Sequence, residues 1–249
     1  MSVGRLARIP LAAVAFLTRI PVGREPFSEH EVGRAAALFP LVGGLVGGVC
    51  GLVADVLAGP LPPLVAGAVA VGAAALLTGA MHLDGLADAA DALGATSRER
   101  ALEIMRDHTV GAFGALALVL VCLVDSATLG SLGASNDAAF AGLAAGAGGR
   151  AAMLPLALAL PYVRSGPGHG RVLDGIGPVT VVAGVCLAAI LALPAGVAGL
   201  AGLAVAGALT ALLAVFFRRW VGGVTGDLLG ATGKLVETAV LVTVLVVAA

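Results

Sequence analysis

The stretch HLDGLADAADAL, His82 to Leu93, places three aspartates, Asp84, Asp88 and Asp91, behind a histidine. Their spacing of i, i+4 and i+7 puts all three carboxylates on one face of an α-helix. Stacked like charges destabilise a helix by a few tenths of a kcal/mol per pair in water, and by more where the dielectric is low. A divalent cation reverses that sign, and Mg²⁺ takes one or two carboxylates and completes its shell with substrate phosphates and water. The run therefore points to metal-assisted phosphate chemistry. The plainer reading is a solvated helix face, with Asp84 as the N-cap of GLADAADAL. Against it, the other faces are Leu and Ala, and ionisable groups at membrane depth mark function by default.

A second acidic group lies in TGDLLGATGKLVETAVL, where Asp227 and Glu237 flank Lys234. These residues are expected in the last inner loop and the start of the last membrane span, on the same side as the first cluster. Two acidic sites facing one compartment invite a two-metal reading. Taken singly, Glu237 is equally a helix-start carboxylate and Lys234 an ordinary loop cation. Arg150, in AAGAGGRAAMLPL, lies near the middle of an apolar block, where an unpaired charge costs at least about 2.5–3.5 kcal/mol. It is expected to face the bundle interior and to pair with an aspartate or a phosphate oxygen. Asp107 and His108 stand before VGAFG, where two glycines permit close backbone approach. His82 is open to roles as base, proton relay or ligand. His30 and His169 read as surface loop residues, and Arg98, Glu99, Arg100 and Glu103 as the exposed face of a short helix.

The elements that must position these groups follow from composition. Of 249 residues, 59% are hydrophobic and 12% charged, and the mean hydropathy is +1.07; a soluble domain carries about a quarter charged residues. The expected fold class is an all-α, polytopic integral membrane helical bundle forming one domain over residues 1–249. Apolar blocks near 35–57, 64–81, 111–133, 138–161, 197–217 and 235–249, with a shorter one at 179–193, predict about seven transmembrane helices. Residues 9–22 mix arginine with apolar side chains, without an evident cleavage site, and predict an N-terminal interfacial helix. Every lysine and arginine except Arg150 precedes the first block or follows the second, fourth or sixth, whereas GPLPP, GASND and LPAG carry none. An N-terminus inside and a C-terminus outside satisfy the positive-inside rule. Cys50, Cys122 and Cys186 lie singly in apolar spans and are expected to be small core residues. The glycine clusters GGLVGG and GAGG read as helix packing seams, because no phosphate-loop pattern surrounds them.

FLTRIPVG, FPLVGGLVGG, HLDGLADAADAL, MRDHTVGAFG and TGDLLGATGKLVETAVL, in this order, resemble the cobalamin synthase (adenosylcobinamide-GDP ribazoletransferase) family over nearly the whole chain. The resemblance implies a polytopic inner-membrane enzyme, with its active site facing the cytoplasm. It would join adenosylcobinamide-GDP to α-ribazole or its 5′-phosphate with Mg²⁺ and release GMP. It maps the two aspartate motifs onto Asp84, Asp88, Asp91 and Asp227. With the charge reading added, the expected metal ligands are Asp84, Asp88, Asp91, Asp227 and Glu237. The expected catalytic residues are Asp84, His82, Asp107 and Arg150, with Arg150 and Lys234 clamping phosphate oxygens, and Lys234 and Arg106 are expected to bind the cofactor. The bilayer, a second copy of the chain and other late cobalamin-pathway enzymes are the expected partners, and nucleic acid is not. The rival readings are another Mg²⁺-dependent pyrophosphate transferase, of CDP-alcohol phosphotransferase or prenyltransferase type, and a secondary transporter. DGLADAADAL lacks the arginine that commonly follows DGxxA in the first of these. Residues 35–110 and 138–234 show no convincing repeat of the kind a transporter carries.

Overall fold

The computed structural model describes residues 3–22, 26–107, 109–163, 173 and 176–248. His108 and His169 lie outside them. The described chain is helical: α1 (Val3–Leu17), α2 (Glu29–Ala35), α3 (Phe39–Leu57), α4 (Pro63–Thr78), α5 (Met81–Ala92), α6 (Arg98–Ile104), α7 (Ala112–Ala134), α8 (Ala138–Ala159), α9 (Pro178–Ala192), α10 (Gly196–Trp220) and α11 (Gly226–Ala248). Extended pairing among the described residues is limited to a single bridge between Tyr162 and Val224.

Each of the seven apolar blocks forms a helix, but not every one is long enough to cross. Among the described residues five stretches qualify by length and composition, and a sixth if α4 and α5 count as one broken span. At 16 and 15 residues, α4 and α9 fall short of the ~20 residues a crossing needs. The chain is a multi-pass helical membrane protein. The N-terminal helix is displaced from the expected 9–22: α1 ends at Leu17, and its buried Ala12, Ala13 and Leu17 pack into the bundle.

Glycine sets the helix spacing, as the clusters suggested. On α3, Gly43, Gly47 and Gly51 face Ala138, Gly142 and Gly146 of α8, and a Cβ at any of the three would run into a carbonyl of that helix. With no hydrophobic force between helices in lipid, such backbone contact maximises dispersion attraction. Gly67 and Gly130 join α4 to α7 in the same way. Between α4 and α5 the chain turns by 95°. Gly79 (φ +64) and Ala80 (φ +58) both take the left-handed conformation there, which stops the helix of the apolar run 64–81 short. The Arg19 side chain lies over Gly79 where a Cβ would stand, and the Arg19 amide donates to the Leu77 carbonyl at 2.7 Å. The end of α1 is thus tied to the bend, and α5 is aimed across the start of α11.

The cysteines differ from expectation. Cys50 is buried, but Cys122 is half-buried and Cys186 exposed, since α7 and α9 turn much of their surface outward.

Candidate functional site: an acidic cleft and a buried ion chamber

Two helix beginnings meet at the bend. α5 starts at Met81 with Ala80 as an N-cap that offers no side-chain bond, and α11 starts after Thr225, whose hydroxyl accepts from the Leu228 amide at 3.2 Å. They pack closely because Gly85 has no side chain: a Cβ there would lie 2.8 Å from the Asp227 carbonyl oxygen and 3.1 Å from its Cα. This contact brings Asp84 and Asp227, from motifs far apart in the chain, to one cleft of about 680 Å³. Thr18, Arg19, Thr78, His82, Met153 and Gly226 line it with them. Asp84 is exposed and Asp227 half-buried. The first residues of both helices line the cleft, so it combines two positive dipole ends with an arginine, the setting in which anions bind.

Behind His82 and Thr78, which border both spaces, lies a second, smaller space of about 50 Å³, around which the charged side chains are buried. Lys234 is 2.5 Å from Asp125 Oδ2 and 2.6 Å from Glu237 Oε1, and Arg150 Nη1 pairs with Glu237 Oε2. Two cations and two carboxylates balance, with Asp125 1%, Arg150 5% and Lys234 8% exposed. Both ring nitrogens of His82, Oδ1 of Asp125 and Nε of Arg150 are buried there without a hydrogen-bond partner among the described residues. A polar space of this size is roomy enough for water, which needs about 10–15 Å³.

The expected site residues therefore divide. Asp84, Asp227 and His82 come together at the cleft. Lys234 and Glu237, expected in the last inner loop and at the start of the last span, instead both lie inside α11, bound to each other and to Asp125 and Arg150. Arg150 faces the interior as expected, and its partner is a glutamate. Asp88 stands one turn beyond Asp84, half-buried. Asp91 is committed elsewhere: its carboxylate accepts from the Gly111 amide at 2.7 Å and the Gly114 amide at 2.8 Å, and so caps α7. Asp107 and Arg106 are exposed on the α6–α7 connection and line neither space. Arg19 and Asp125 escaped the reading of the sequence. Their signal was the one that exposed Arg150, a charge inside an apolar run.

Among the described residues no group of three or more histidine, cysteine, aspartate or glutamate side chains is gathered to hold a metal. The carboxylates that line the cleft are those of Asp84 and Asp227, the latter also accepting from the Thr225 hydroxyl at 3.4 Å. That set fits Mg²⁺, which is commonly held by one or two carboxylates with the rest of its shell from substrate and water, and does not fit a closed all-protein cage.

Fold and site together define a multi-pass helical membrane protein with an acidic, arginine-bearing cleft at one end of the bundle. Residues 10–245 match the family model described as Cobalamin-5-phosphate synthase. An adenosylcobinamide-GDP ribazoletransferase of Polaromonas sp. (strain JS666) is 38% identical over 274 residues, covering 95% of this chain and 96% of that protein. The protein of the same name from Brucella ovis is 37% identical over 254 residues, covering 93% and 94%. No solved structure matches the chain. The chain belongs to the cobalamin-5-phosphate synthase family, and it is a transferase of cobalamin biosynthesis.

Proposed function

We propose that the cleft between α5 and α11 is where this chain joins adenosylcobinamide-GDP to α-ribazole or its 5′-phosphate. In that reaction a ribose hydroxyl attacks the cobinamide-linked phosphorus, the bond to GMP breaks, and GMP leaves with the electron pair on its bridging oxygen. The observation that carries the reading is the meeting of Asp84 and Asp227 at one open cleft beside Arg19 and two helix N-termini. Asp84 and Asp227, with Asp88 one turn on, would hold Mg²⁺, which when bound neutralises pyrophosphate charge. Arg19 and the first amides of α5 and α11 orient the phosphates and stabilise the charge that develops on the leaving oxygen. Of the two candidate bases, His82 lines the cleft with both ring nitrogens buried and the exposed Asp107 lies outside it, so the hydroxyl proton passes to water or to a carboxylate of the cleft.

The cleft faces the cytoplasm across the inner membrane. Supporting this, exposed Arg218 and Arg219 end α10, Arg98 lies against Gly222, and Arg19 lines the cleft, all at the end where α11 begins. Cross-linking in native membranes tests the accompanying expectations of a homo-oligomer and of neighbouring late-pathway enzymes.

The deciding experiment follows GMP release from adenosylcobinamide-GDP and α-ribazole by the purified protein in lipid, with Mg²⁺ or with EDTA. Wild type should turn over only with the metal. Asp84→Asn and Asp227→Asn should each lose about 10³-fold or more, several kcal/mol of transition-state stabilisation, with thermal stability unchanged. An active Asp84→Asn variant would remove the cleft from the mechanism.

A further inference from the structure

On another face of α8 the bundle carries an apolar groove of about 560 Å³. α9 and α10 each pack on α8 and touch one another little, so α8 is its floor and they are its walls. The groove closes where the turn at Leu193–Ala195 joins α9 to α10, and a Cβ at Gly199 would strike the Ala192 carbonyl. From there it runs along small residues, among them Ala151, Ala188, Ala204, Gly207 and Ala211. The one hydroxyl that lines it, on Thr210, already donates to the Ala206 carbonyl at 2.7 Å, so the groove makes no polar demand on an occupant.

The open end is different in kind. Gly207, Ala211 and Ala214 form a stripe along α10, and the next residue on that stripe is Arg218. Arg218 and its neighbour Arg219 are exposed, and neither has an ion-pair partner among the described residues. Phe216 and Trp220 stack at 5.2 Å beside them, the aromatic signature of the headgroup level. From Leu200 to Ala214 the groove runs about 21 Å by the helical rise, somewhat more than one leaflet's hydrocarbon depth of ~15 Å. A dry slot with unpaired cations at its mouth complements a molecule with an apolar tail and an anionic head.

We infer that the α8–α9–α10 groove is a binding site for an acidic phospholipid, with one acyl chain in the groove and the phosphate at Arg218. The site is separate from the cleft, and its occupant is a bilayer component bound to a defined place on the protein.

Native mass spectrometry of protein released from bilayers of phosphatidylglycerol and phosphatidylcholine tests this. Wild type should retain about one phosphatidylglycerol per protomer and prefer it to phosphatidylcholine. Gly207→Leu fills the groove, and because a Cβ at Gly207 meets nothing within 4 Å, the larger side chain enters open space. This variant should lose the retained lipid while GMP release stays at the wild-type level; Ala211→Leu repeats the test at an exposed position should the first variant fail to fold. Arg218→Gln should keep a lipid but bind phosphatidylglycerol about fivefold more weakly, the size of one near-surface cation's attraction. Equal retention of the two lipids by wild type, or undiminished lipid on Gly207→Leu, overturns the inference. So does a lipid-free dimer that Gly207→Leu converts to monomer, which would give the groove to a second copy of the chain.

Discussion

Thr78 and His82 stand between two polar regions built from the same kinds of side chain. On one side Asp84, Asp227 and Arg19 line a cleft of about 680 Å³; on the other Asp125, Arg150, Lys234 and Glu237 border a space of about 50 Å³. In the chamber every charged group has an opposite partner, and the groups pair across α7, α8 and α11. In the cleft, Asp84 and Arg19 have no ion-pair partner among the described residues. Charges balanced by the protein's own groups hold helices in place, whereas charges left open to a cleft are available to a ligand. The depth of a charge in the membrane therefore does not by itself mark the reaction site. On the proposed assignment, what marks it is whether the protein has already answered that charge.

That division breaks if the chamber behaves like the cleft. Glu237→Gln leaves Arg150 and Lys234 facing Asp125 alone, an uncompensated buried cation of the kind that destabilises by about 3–5 kcal/mol. The apparent melting temperature in detergent should fall by roughly 10 °C. Removing a balanced pair is a different matter: Asp125→Leu with Lys234→Met leaves Arg150 and Glu237 matched, and stability should return close to wild type. A Glu237→Gln variant that melts normally but has lost all turnover would move Glu237 from the scaffold into the reaction.

The link between the regions is sharpened at Gly85. Alanine there would press 2.8 Å against the Asp227 carbonyl, which is backbone and cannot swing aside. Parting α5 from α11 should cost about 1–3 kcal/mol of stability. It should also lower turnover by up to about 100-fold through misplacement of Asp84 relative to Asp227. Gly72→Ala is the matched control, since a Cβ there meets nothing within 4 Å, and helix propensity alone should make that variant slightly more stable.

Much of this was legible in the sequence because its signals are local. Hydropathy located all seven apolar blocks, and the glycine spacing of α3 and α8 announced their seam. Hydropathy misled where charge lies inside a helix: Lys234 and Glu237 pushed the expected start of the last span to 235, although Thr225 caps that helix at Gly226. The bend at Gly79 and Ala80 was hidden in a continuous apolar run, since an alanine in the left-handed conformation has no sequence signature and Arg19 holds the turn from outside, against Gly79 and Leu77. Asp84 and Asp227 were readable by type and motif. Which aspartate serves the cleft was not, because that depends on partners contributed by other helices.

Asp91 is the case in point, and it carries the smallest predicted effect. Its two oxygens accept from Gly111 and Gly114 at the start of α7, and a Cβ at Gly111 would lie 2.6 Å from Asp91 Oδ1. The two glycines thus give α7 a carboxylate cap contributed by α5, where the helix dipole favours negative charge. Asp91→Asn keeps one acceptor and loses the charge, so stability should drop by about 1 kcal/mol while GMP release stays within a few-fold of wild type. If turnover instead collapsed to the level of Asp84→Asn with the melting temperature unchanged, the third aspartate of the run would belong to the cleft. The difference between a charge answered by the protein and one reserved for a ligand would then have to be drawn within α5 itself.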